Sequence, residues 1–356
     1  MEQMLLCLSS GYRPRYRHDV LRAISMPEGT HLQFRYESSL IPEGLRQRVK
    51  SNDFAGSEVC IAYLDRSKPQ QSPEIVPCRV ANLIESHLSG DMYILDLCLG
   101  QFSVATDIRA FNKDIYTVAS NLPYWHGDDI CGSFFQLINS MPTTLRKTSD
   151  IGDWQALVTT LSTHSDFSTE PFFYYVKSLT NVANKEAIPV CSNVYRIDAS
   201  KTYQLTIVQY APGNSLDSRT VGETYWLLVK NEDANVSFTT TKELAIDSPY
   251  DEKTVRLRAS NPTQATDCVV ALLRQITAGF PDPSKAVLDF DLGLQIKPSY
   301  GWLVFKGLVV GSLIGAQGLV PIYLNPNITD KWIGYIIVSI AGIAAGLIAS
   351  FGLRKL

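Results

Sequence analysis

EIVPCRVANLIESHLSGDMYILDLCL, residues 74–99, sets two long stretches rich in apolar and β-branched residues on either side of Ser89-Gly90-Asp91. Strand-forming runs interrupted by small and acidic turn residues read as two long antiparallel strands joined by a tight turn. The surrounding fold is therefore expected to be mainly β.

The stretches on either side extend that reading. THLQFRYE (30–37) alternates in part and SEVCIAYL (57–64) is a short apolar run, so both read as strands. Between them, Pro42 to Lys50 reads as a helix, with proline where a first helical turn tolerates it. From 102 to 193 the pattern is mixed, with a helix expected at Trp154–Leu161 and an aromatic strand at Phe172–Lys177. After Tyr195, YQLTIVQYA (203–211), TYWLLVKN (224–231), NVSFTTT (235–241), KTVRLRA (253–259) and DCVVALLRQ (267–275) follow one another between turn-rich segments. Short strands at that spacing predict an immunoglobulin-like sandwich.

The tail differs. WLVFKGLVVGSLIGAQGLV (302–320) and WIGYIIVSIAGIAAGLIASFG (332–352) are apolar, glycine-rich and divided by PIYLNPNITDK (321–331). A spanning helix needs roughly 20 apolar residues, so the pair reads as a transmembrane α-hairpin. The expected organisation is a β-rich cytosolic sensor region over 1–195, a juxtamembrane β-sandwich over 196–296 and the hairpin over 297–356. The fold class is then mainly β with some α. The apolar patch Met4–Leu8 is too short for a signal-peptide core. Lys297, Lys306, Arg354 and Lys355 flank the hairpin, so a two-pass inner-membrane protein with cytoplasmic N- and C-termini is expected.

Within the hairpin, Gly307, Gly311 and Gly315 recur every four residues, and Gly342 and Gly346 repeat the spacing. Small residues let helix backbones approach closely in lipid, which predicts helix packing and a homo-oligomer. Lys306 and Gln317 fall on another line, one that would face a pore if several hairpins surround an axis. Just before the hairpin, AVLDFDLGL (286–294) alternates Leu288, Phe290 and Leu292 with Asp289 and Asp291, placing both carboxylates at an inner mouth.

The densest polar feature is GYRPRYRHDVLR (11–22). Arginine forks grip phosphates and tyrosine faces stack on bases, so Tyr12, Arg13, Arg15, Tyr16, Arg17 and Arg22 are candidates to bind a nucleotide or short oligonucleotide. The plainer alternative is a segment pairing with acidic neighbours or lipid headgroups.

The 32 basic and 35 acidic residues leave a net charge of −3, with no overall pull towards nucleic acid. Seven cysteines without CxxC or zinc-type spacing read as reduced thiols, and no metal or cofactor is expected. No nucleophile elbow, phosphate loop, dinucleotide fingerprint or zinc helix occurs, so the chain is not expected to be an enzyme. The nearest thing to a catalytic pair is His126 and Cys131 in PYWHGDDICGS (123–133), which a surface turn explains equally well.

The order of parts, with FRYESSLIP (34–42) and IDSPYDE (246–252), resembles membrane effectors of bacterial antiphage defence systems, those of the nucleotidyltransferase-linked Hailong type. The resemblance carries over no residue roles. It implies a ligand-controlled oligomer that opens a pore and disrupts the membrane of an infected cell, partnered by an enzyme from a neighbouring gene. Two other readings stand beside it: a membrane-tethered binding or scaffold protein without a pore, and a membrane-bound hydrolase using His126 or Cys131.

Overall fold

The structure is a computed structural model. It describes residues 3–299 apart from 12, 66–72, 120, 127–128, 140–141, 214–215, 217–222 and 263, and then 301, 304–305, 307–309 and 340; residues 125–126 and 129–130 are described through their backbone.

The 74–99 hairpin forms as expected: β4 (Glu74–Ser89) and β5 (Met92–Ala105) pair antiparallel, with Ser89 opposite Met92. Gly90 takes φ +63° at the first central position of the turn, where a two-residue hairpin favours glycine. Around this hairpin lie β1 (Met4–Ser9), β2 (His31–Glu37), β3 (Glu58–Asp65), β8 (Phe135–Ile138) and β9 (Leu145–Thr148) in one seven-stranded sheet. Its order is β2-β5-β4-β3-β1-β8, with β9 also on β5. β6 (Tyr124–His126) and β7 (Asp129–Cys131) pair only with each other.

The apolar patch Met4–Leu8 is a central strand, parallel to β3 and antiparallel to β8, with every residue of β1 buried. Helices α1 (Pro14–Ser25), α2 (Glu43–Lys50) and α3 (Ile108–Val118) pack on β4, which explains why its first half is buried at consecutive positions. α4 (Ile151–Ser162) packs on β5 and starts at Asp150, whose carboxylate accepts from the amides of Gly152 and Asp153.

α1 was not foreseen, because its three arginines and a histidine masked the apolar stripe. Pro14 stands at its first turn, and Tyr16, Val20, Ala23 and Ile24 are buried. Its C-terminal carbonyls are capped from outside the helix. The buried Arg79 donates to Ala23 O (3.1 Å), Met26 O (3.0 Å) and Gly100 O (2.6 Å), and Trp154 Nε1 donates to Ile24 O (3.0 Å).

The remaining strands make a two-sheet sandwich. One sheet joins β10 (Phe173–Asn181), β11 (Ala187–Ile188), β14 (Thr202–Tyr210), β16 (Val236–Phe238) and β18 (Tyr250–Ala259) in the order β11-β10-β14-β18-β16. The other joins β12 (Val190–Cys191), β13 (Val194–Asp198), β15 (Thr224–Asn231), β17 (Glu243–Ile246), β19 (Thr266–Thr277) and β20 (Val287–Lys297) in the order β12-β13-β20-β19-β15-β17. The sandwich thus draws strands from Phe173 onward, ahead of the 195/196 boundary expected from sequence. One continuous apolar cluster runs from Met4 to Ile296 and includes both sheets' inner faces and the N-terminal sheet.

Positions 301, 304–305, 307–309 and 340 are helical. Among the described residues no helix is long and apolar enough to cross a membrane. Most of the two expected spans, with Lys306, Gln317, Gly311, Gly315, Gly342 and Gly346, lies outside the described residues; Gly307 is described, as a buried helical position.

Candidate functional site

Helical geometry sorts the arginines of α1. Positions 15, 19 and 22 are i, i+4 and i+7, so Arg15, Asp19 and Arg22 share one stripe. On β2, alternate residues His31, Gln33 and Arg35 point to one side while Leu32, Phe34 and Tyr36 are buried on the other. These two rows meet Leu288, Phe290 and Asp291 of β20 around a cleft of about 360 Å³, with Met26 and Leu32 also in its lining.

The cleft brings three guanidinium groups, Arg15, Arg22 and Arg35, against two carboxylates, Asp19 and Asp291. Asp19 is 8% exposed, and among the described residues no donor reaches its carboxylate. Burial pushes its pKa up to about 7, against the pull of Arg22, Arg15 and Arg35. Burial and then Glu232 also raise Asp291, opposed by Arg22. Arg15 Nε is buried and has no partner among the described residues. The arrangement suits an anion with hydrogen-bond donors of its own.

The other sequence candidates are distributed elsewhere. Tyr12 lies outside the described residues. Arg13 pairs with Glu37, and Arg15 approaches the same carboxylate at 3.6 Å. Tyr16 is fully buried near Tyr36 and Phe134, so its ring belongs to the core rather than to a stacking platform. Arg17 donates to Asp166 O at 2.6 Å and pairs with Glu170. Arg22 donates through Nε to Asp289 O at 2.9 Å. Pairing with acidic neighbours therefore accounts for Arg13 and Arg17, while Arg15 and Arg22 also face the cleft.

Asp289 and Asp291 do not share an outward face, which corrects the simple alternation expected for 286–294. Phe290 pairs with Leu272 and Leu288 with Leu273, leaving Asp289 as the extra residue of a bulge. The bulge turns its side chain inward. There it accepts from Tyr174 OH (2.8 Å) and Arg274 Nε, and His18 Nε2 lies 3.8 Å away. Arg274 also reaches Glu170 at 2.9 Å, so Arg17, Glu170, Arg274 and Asp289 form one chain of charges between α1 and the sandwich. Burial would lower Arg274, but Asp289, Tyr174 and Glu170 hold its pKa above the ordinary value. Burial and then Arg22 lower His18, which keeps it neutral near pH 7.

His126 lies opposite Asp129 and Cys131 opposite Tyr124 on the β6–β7 hairpin. Among the described residues no group of three or more His, Cys, Asp or Glu is arranged to hold a metal ion. Asp19, His31, Gln33, Arg35 and Phe290 were not singled out from sequence. The i, i+4, i+7 spacing from Arg15 and the alternation of β2 were the readable signals.

No protein-family model matches the chain. No curated protein matches it either. Among solved structures it is similar to WR4, a C. elegans MSP family member, at 9% identity, covering 29% of this chain and 92% of that one, TM-score 0.19. It is similar to a Bacteroides ovatus GH5 xyloglucanase in complex with a XXXG heptasaccharide at 10% identity over 34% and 19%, TM-score 0.17. It is also similar to the Vibrio cholerae VesB protease at 9% identity over 76% and 96%, TM-score 0.20. At these TM-scores the likenesses carry no argument.

Proposed function

We propose that this chain is an oligomeric membrane effector: a pore of C-terminal helical hairpins, controlled through the cleft by a nucleotide-like anion or a partner, acting in antiphage defence without a catalytic step of its own. The observation that carries the reading is the position of β20. It forms one wall of the cleft through Leu288, Phe290 and Asp291, and it ends at Lys297, four residues before the first described helical position of the tail, 301. A ligand that draws Arg15, Arg22 and Arg35 together acts on the strand that leads into the hairpin. Val304, Phe305, Leu308 and Val309 are exposed apolar residues on that helical stretch, which suits contact with lipid or a second copy.

The test reconstitutes the full chain in dye-loaded liposomes and adds nucleoside triphosphates and short oligonucleotides in turn. Ligand-dependent release or block of dye is expected, lost in Arg15→Ala and Arg35→Ala. An oligomeric preparation whose dye release no added ligand or partner enzyme alters would overturn it. A second reading, a tethered scaffold, draws support from the internal pairing of Arg13 and Arg17. It predicts that cellular activity survives replacement of 297–356 by an unrelated membrane anchor, whereas a pore requires these residues.

A further inference from the structure

We propose that the cleft between α1, β2 and β20 selects a guanine nucleotide, with Asp19 accepting from the guanine edge and Arg15, Arg22 and Arg35 holding the phosphates. This rests on the reading of the cleft as the ligand site.

The argument is one of unmatched groups. Asp19 is 8% exposed, lines the cleft and has no donor among the described residues, although it shares a helical stripe with two arginines. Arg15 Nε is equally without an acceptor, although its guanidinium donates to Tyr16 OH at 2.9 Å, and among the described residues the side-chain hydrogen bond of Arg35 goes to Gln33 Oε1 at 3.3 Å. The cleft therefore holds an unmatched buried acceptor together with guanidinium groups that keep donors to spare. An inorganic phosphate would engage the donors and offer Asp19 a P–OH group that reaches one of its two oxygens. A cationic amine would satisfy Asp19 but meet three guanidinium groups. The ligand that answers both carries an anionic group and a pair of adjacent neutral donors.

Nucleobase chemistry narrows this to one base. Guanine alone presents two adjacent donors, N1–H and the 2-amino group, to the two oxygens of one carboxylate. Adenine and cytosine set an amino group next to a ring acceptor, and uracil sets a single N–H between two carbonyls. Each of those would place a lone pair against Asp19. A site built around a buried polar group discriminates strongly against ligands that leave it unpaired. The volume, about 360 Å³, lies within the range of small-molecule sites, and Met26, Leu288 and Phe290 give one wall an apolar surface for a ring.

The experiment titrates GTP, ATP and xanthosine triphosphate into the full chain in detergent by calorimetry, with Asp19→Asn alongside. GTP is expected to bind at least about tenfold more tightly than ATP. In Asp19→Asn the amide accepts from N1–H and donates to the 2-oxo group of xanthine, so preference should invert to xanthosine triphosphate, with GTP weakened roughly tenfold or more. A purely structural role for Asp19 would not produce that inversion. Equal binding of GTP and ATP, abolished by Arg35→Ala, overturns the guanine assignment and leaves the cleft as the ligand site. Binding of none of the three overturns both. Unchanged GTP affinity in a folded Asp19→Asn chain also overturns the assignment.

Discussion

Arg22 donates through Nε to the backbone oxygen of Asp289 at 2.9 Å, joining α1 to β20 across 267 residues of sequence. Arg22 lines the cleft, and the acceptor lies between its lining residues Leu288 and Phe290, in the bulge that turns the Asp289 side chain inward. The same aspartate thus meets α1 through its backbone and the sandwich core through its carboxylate. Arg22→Ala is expected to lower stability by about 1.5 kcal/mol, as for loss of one charge-assisted hydrogen bond at a half-buried site. It should also weaken ligand binding. Urea unfolding followed by calorimetry of the folded variant checks the two effects separately.

Breaking the buried end of this network should be more damaging. Asp289→Ala removes the carboxylate that faces Arg274 and Tyr174, leaving Arg274 with Glu170 and Phe172 O. Loss of one partner from a buried pair costs about 3–5 kcal/mol, because the remaining charge stays desolvated. Asp289→Asn, whose amide oxygen still accepts from Tyr174, should lose less. Urea midpoints of the two variants, compared at equal m-value, provide the measurement.

Asp19 makes stability depend on pH. Its folded carboxyl titrates near 7 and its ordinary value is 3.8, so between those values the folded chain holds a proton that the unfolded chain has released. Stability then falls as pH rises through that window and levels off above about 7. At about 1.36 kcal/mol per pH unit, Asp19→Asn should be more stable than the parent chain at pH 8 by at most about 4 kcal/mol. Near pH 4 the two should coincide. Thermal melts of both chains at pH 4 and pH 8 test this, and a constant difference across the range would be the contrary result.

Arg79 caps α1 from strand β4 and has no carboxylate among its hydrogen-bond partners; its guanidinium lies 4.3 Å from the Phe102 ring centroid. Burial lowers its pKa to about 10, still well above neutrality. Arg79→Met keeps the stem's packing but leaves the carbonyls of Ala23, Met26 and Gly100 without this donor. A loss of about 2–4 kcal/mol is expected. Hydrogen exchange should show it as faster exchange in the last turn of α1.

Several elements were legible because a local pattern implied them. The β4–β5 hairpin was legible from two strand-forming runs joined through Ser89-Gly90-Asp91, and α2 from Pro42 followed by an arginine-rich helical run. β15 begins and ends where TYWLLVKN does. α1 and β1 were not read, for opposite reasons. The charge of α1 hid its apolar stripe, and six buried residues of β1 offer no alternation because both faces are covered. Half of the cleft was legible in Arg15 and Arg22, since arginines dense in sequence stand out. Arg35 and Asp291 joined them only through packing of β2 and β20.

What this sequence determined alone is the kind of local structure: strands where polarity alternates, helices where capping and spacing agree, and two long apolar runs at the tail. Those features depend on neighbours a few residues apart, where backbone geometry dictates which side chains share a face. Tertiary structure decided which charges meet. Arg17 and Glu170 are 153 residues apart, and Arg22 meets Asp289 across 267. No local period encodes such separations; they arise because burial of the shared apolar cluster brings α1 against β20, and the buried charges then take the partners that packing brings within reach.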